Sequence, residues 1–91
     1  MGYSYVEGSK YLGHGPNISG MGFLIKAIDK AGVKTYPNLD ELISTGEANA
    51  EAVKGEAERL SEKVKAKNVK DMLGLLVCAA AKAKRVITIS H

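Results

Sequence analysis

Five glycines fall between residues 8 and 22 of this 91-residue chain, at positions 8, 13, 15, 20 and 22, with Pro16, Asn17 and Ser19 set among them. Glycine lets a backbone approach a ligand closely, and a run of glycines can turn successive amide N–H groups toward one anion. From Ser19 onward Met21, Leu24, Ile25 and Ile28 follow the i, i+3, i+4, i+7 spacing of a helix buried on one face. The pattern predicts a loop over residues 8–22 that feeds a helix N-terminus, with the amides of Gly20, Met21 and Gly22 free at the positive end of the helix dipole. Lys10, Lys26 and, when protonated, His14 bring positive charge close by, and Tyr3, Tyr5 and Tyr11 bring rings that stack or pack. The chemistry indicated is capture of an anionic small molecule or of a partner surface. Tyr11, His14, Gly15, Asn17, Ser19, Gly20, Gly22 and Lys26 are the candidate binding residues. The plainer account of the same segment is a turn and a helix cap built by Pro16, Asn17 and Ser19.

Residues 15–28 also keep the outline of a nucleotide phosphate loop. In the pattern G-x-x-x-x-G-K-[ST], glycines shape a backbone cradle, the lysine reaches the β- and γ-phosphates and the hydroxyl holds Mg²⁺. Gly15 and Gly20 occupy the glycine places. Together with Pro16, Asn17, Ser19, Leu24, Lys26, Ala27 and Ile28 they make the stretch resemble the phosphate-binding loop of ABC-type ATPases. Met21 and Gly22 stand where that family carries its lysine and its hydroxyl. The resemblance covers under a sixth of the chain and implies an anion cradle that has lost the groups that hydrolyse a nucleotide. The remaining length does not accommodate the parallel sheet such a loop needs. The chain is therefore expected to be no enzyme.

Other reactive residues are sparse. His14 and His91 are the two histidines and have no partners at ligand spacing, so no metal site and no cofactor is expected. Ser9 and His14 lack an acidic orienter and an oxyanion hole, which leaves no triad. Cys78 is the single cysteine, set among Leu, Val and Ala, and reads as a buried thiol behaving as a small hydrophobe. Lysines are more suggestive. Lys63, Lys65, Lys67 and Lys70 form one run, and Lys82, Lys84 and Arg85 follow near the end. Cations gather at helix C-termini for ordinary electrostatic reasons, but the same residues make a candidate nucleic-acid patch whose binding would fall steeply with salt. No aromatic residues interleave them, so base stacking is not indicated.

The elements that must position these residues follow from periodicity and punctuation. Residues 2–6 alternate as a short strand, and Gly32 stops the first helix. Residues 33–37 connect to a second helix opened by Asn38 and Glu41 as a capping box, with Leu39, Leu42 and Ile43 buried. A turn at 44–46 leads into a long helix over 48–67 with a narrow seam of Val53, Ala57, Leu60 and Val64 and solvated charge elsewhere. Gly55 within it marks a close helix crossing or a bend. The last helix, from Asn68, is apolar on nearly every side over 72–83 and needs cover all round. Residues 85–90 are a strand rich in β-branched side chains.

The fold class is α+β, one domain over 1–91, in the order β-α-α-α-α-β, with the terminal strands forming a two-stranded sheet on a helical bundle. Such a sheet has open edges, so a homo-oligomer, most simply a dimer that extends the sheet, is expected. With 45% apolar residues, one Phe and no Trp, the core is aliphatic. Net charge is +3, acidic residues concentrating in 38–58 and basic ones in 59–85. No signal-like stretch opens the chain and the longest apolar run, about twelve residues, is too short for a membrane span. A cytoplasmic location follows as the expectation. In size and simplicity the chain resembles small accessory proteins of phages and mobile elements, including inhibitors of bacterial defence systems, a likeness carried by no single residue. The function expected is that of a non-enzymatic binding protein that blocks or sequesters a macromolecular partner or a phosphate-bearing ligand. The alternatives are a nucleic-acid-associated protein using the lysines, and a structural assembly subunit that makes contact through the strand at 86–90.

Overall fold

A computed structural model describes residues 2–90; Met1 and His91, and with it the expectation for His91, lie outside the described residues. Four helices pack on a four-stranded antiparallel sheet. The order is β1 (Gly2–Glu7), β2 (Lys10–Asn17), α1 (Ile18–Ala31), α2 (Pro37–Thr45), β3 (Glu47–Asn49), α3 (Ala50–Lys63), α4 (Lys67–Lys82) and β4 (Val86–Ser90). The α+β class holds, but two strands join the expected six elements.

The segment 8–22 is not a loop. Glu7 pairs with Lys10 across a two-residue turn in which Gly8 has φ 63°, the mirror-image geometry that matches the twist of a hairpin. Residues 10–17 then run back along β1. Glycines within a strand mark bulges and close approaches rather than an absence of structure. Here Val6 pairs with Tyr11 and Tyr5 with Gly13, which leaves Leu12 as an extra residue, 2% exposed, turned into the core. A methyl group on Gly15 would lie 3.2 Å from the Tyr3 carbonyl oxygen, a tight contact, so glycine lets β2 lie close against β1 there.

The terminal strands do pair, Tyr5 opposite Ile89, but at the centre of the sheet order β2-β1-β4-β3. The sheet has four strands from one chain rather than the expected two. In β1 Tyr5 is fully buried while Ser4 and Val6 are half-buried; in β4 Ile87 is fully buried while Val86 and Thr88 are not. One sheet face therefore carries the helices and the other faces solvent.

The helices differ from expectation at their ends. Gly32 does terminate α1, its amide donating to Ile28 and Asp29. Helix α2 opens at Pro37, whose fixed φ suits a first helical position, and has no capping box. The long helix over 48–67 is instead β3, then α3 capped by the Asn49 side chain on the Ala52 amide, with Lys65 and Ala66 left in the connection to α4. Helix α4 buries a single stripe, Val69, Met72, Leu73, Leu76, Ala79 and Ala80, and leaves Gly74, Leu75, Cys78 and Ala81 exposed. The thiol expected in the core lies on the surface because Cys78 falls opposite that stripe.

Candidate binding surfaces

Strand β2 passes directly into α1, so no residues remain between them to wrap a phosphate. Asn17 is the N-cap, and its Oδ1 accepts from the Gly20 amide at 2.7 Å. The Met21 and Gly22 amides lie inside the helix. None of the three amides expected to be free is available as a cradle, and the plainer reading of Asn17 as a cap is the one the geometry follows. Gly20 has a packing reason as well: a methyl group there would stand 3.0 Å from both Met72 Sδ and Pro16 Cβ, tighter than most packed side chains, so its neighbours would have to shift.

The remaining candidates fall in two places. Tyr11 is 55% exposed, and its ring meets that of His14 edge-on, with centroids 5.8 Å apart. Strict alternation would put residues 11 and 14 on opposite faces; the extra residue Leu12 brings both to the solvent face, opposite Val6 and Ser4. Tyr3 and Tyr5 do not join them, since Tyr5 is fully buried and Tyr3 packs against the core. Ser19, Gly22 and Lys26 lie exposed on α1 beside two residues that the sequence reading passed over, Ile18 at 64% and Phe23 at 52% exposed. Gly22 has open space around it, with nothing beyond its chain neighbours and its own helix backbone within 4 Å of where a methyl group would sit. A signal for this surface was present in the helical pattern, because Ile18, Gly22 and Phe23 fall outside the stripe of Met21, Leu24 and Ile28.

The chain's own carboxylates occupy two clusters of backbone amides that would otherwise suit an anion. Glu7 accepts from the successive amides of Lys84, Arg85 and Val86 at 2.8, 2.7 and 2.9 Å. These three hydrogen bonds lower its carboxyl to about 2. Glu56, 4% exposed, accepts from the amides of Asn38 and Leu39 at 2.9 and 3.0 Å and from the Asn38 side chain, and so caps α2 from a neighbouring helix. Glu56 was read as part of a solvated acidic face. Its position at i+3 from Val53, inside the seam with Ala57 and Leu60, was the clue to its burial.

The lysines do not form one patch. Lys63, Lys65, Lys67 and Lys70 run from the end of α3 through the connection into the first turn of α4, while Lys82, Lys84 and Arg85 lie at and just past the far end of α4, about 22 Å away along the axis. Lys84 and Arg85 share a cleft with Glu41, Glu47 and Glu51, which balances their charge locally. Strand β4, expected as an assembly contact, is hydrogen-bonded on both sides, to β1 and to β3.

Among the described residues no three His, Cys, Asp or Glu side chains gather as a metal site, and no helix is long and apolar enough to cross a membrane. Compared with known proteins, the chain matches no family model, no curated protein and no solved structure.

Proposed function

We propose that this chain is a small non-enzymatic binding protein that blocks or sequesters a macromolecular partner, and that the outer face of α1 is its contact surface. The observation that carries this reading is Gly22 between exposed Ile18 and Phe23. Within a helix glycine costs about 1 kcal/mol relative to alanine, and nothing inside the fold uses the space at Gly22. A glycine flanked by two large apolar side chains lets another backbone come close while the flanking groups bury area. Ser19 and Lys26 on the same helix supply polar contacts at the rim. A second copy of the chain is one partner this surface accepts.

The test is affinity purification of the intact protein from its own cell followed by native mass spectrometry, wild type against Gly22→Leu and against the pair Ile18→Asp with Phe23→Asp. A second copy or a defined partner is expected with the wild type, and its loss in both variants, with cooperative thermal unfolding retained by the free variants. A ligand-free monomer, or a complex that survives both changes, overturns it.

A further inference from the structure

The ends of α1 and α3 and the start of α4 meet around a groove of about 590 Å³, separate from the surface above. Its floor is apolar and well packed: Tyr36 and Leu60 are each 1% exposed and Val69 6%. Three cations stand on its rim, Lys30 from α1 and Lys63 and Lys65 from the end of α3 and the connection that follows. No Asp or Glu lines it. Lys30 and Lys63 also close the last turns of their helices, where a cation offsets the negative end of the dipole. That accounts for two of the charges, but neither for Lys65 nor for the partly exposed apolar side chains of Ala27, Ala31 and Val64 between them.

The size decides the class of occupant. A volume of this order lies within the roughly 300–1,000 Å³ of small-molecule sites, which form readily between helices. A stable protein interface takes roughly 20–30 residues a side, and fewer than a dozen line this groove. Charge decides the head group, since three cations with no carboxylate among the lining residues favour an anion. We propose that the groove binds a small amphiphilic anion: an apolar chain laid against the partly exposed Ala27, Ala31 and Val64, above the buried Tyr36, Leu60 and Val69, with a carboxylate or similar acid held between Lys30, Lys63 and Lys65. This stands independently of the α1 surface.

The experiment titrates the intact protein with dodecanoate and with dodecyltrimethylammonium, each below its micelle concentration, by calorimetry and by amide chemical shifts. Dodecanoate is expected to saturate at one per chain, shifting Ala31, Tyr36, Lys65 and Val69, while the cation of equal chain length binds at least about tenfold more weakly. The double change Lys63→Glu and Lys65→Glu raises the dodecanoate Kd about tenfold. Ala31→Phe, which places a ring in the groove, abolishes binding with helix content unchanged by circular dichroism. Absence of saturable dodecanoate binding, equal binding of the cation, or shifts confined to other residues overturns the proposal. Since α1's outer face is untouched by these changes, their outcome leaves the partner-binding reading to its own test.

Discussion

Gly20 and Gly22 are two positions apart and do opposite things. Gly20 is pressed between Met72 and the rigid ring of Pro16, so Gly20→Ala should overpack the α1–α4 contact and lower stability by about 1–3 kcal/mol. Gly22 faces open space, and Gly22→Ala should raise stability by about 0.5–1 kcal/mol. Urea unfolding of the two variants measures both signs. Tyr5 offers a second single-residue case. Its ring fills the centre of the core, but its hydroxyl is buried with no hydrogen-bond partner among the described residues, and burial pushes its pKa up. An unsatisfied buried hydroxyl costs free energy while the ring contributes packing. Tyr5→Phe is therefore expected to leave stability unchanged or to raise it by up to about 1 kcal/mol, read from the thermal midpoint; a loss above that range would mean the hydroxyl is satisfied.

Two elements are held at their ends by carboxylates from elsewhere in the chain. Helix α2 has no cap of its own and depends on Glu56 of α3. Glu56→Ala removes the acceptor from buried amides and should cost about 2–3 kcal/mol, whereas Glu56→Gln keeps one acceptor oxygen and should retain part of that stability. The turn from α4 to β4 is held by Glu7. The carboxyl of Glu7 is lowered from 4.5 to about 2, so its contribution is complete above the unfolded value and is lost as pH falls through the window between them. The urea midpoint should decline from about pH 5 to pH 2, and Glu7→Gln should flatten that decline. Equal slopes in the two proteins would remove Glu7 as the cause. At the same scale, the sheet edges are less sticky than a two-stranded sheet would suggest. β3 has three residues, and β2 carries a bulge, Pro16 and a lysine at its start, devices that discourage edge pairing.

At the scale of the whole molecule, both termini enter the middle of the sheet. β4 lies between β1 and β3, and its Ile87 is fully buried opposite Ala48. Deleting residues 86–91 should consequently abolish cooperative unfolding by circular dichroism rather than trim an edge. Cooperative melting of the truncated chain would contradict the sheet order. Much of this architecture was legible beforehand: β1, β4, the stop of α1 at Gly32 and the buried stripe of α1 all follow from local periodicity and punctuation. β3 was not, because Glu47–Asn49 has little strand propensity and exists through pairing with β4. Nor was β2, whose glycines read as a loop until the register with β1 assigned them to bulges and close contacts. By itself the sequence determined the fold class, the main helices and the terminal strands, since those rest on interactions between near neighbours. Only the tertiary structure decided that the glycine-rich segment is a strand with no cradle, that Glu7 and Glu56 take the anion positions, and that Lys30, Lys63 and Lys65 share a groove. Each of these joins residues remote in sequence, and no local pattern records which remote partner a backbone amide, a carboxylate or an apolar face will meet.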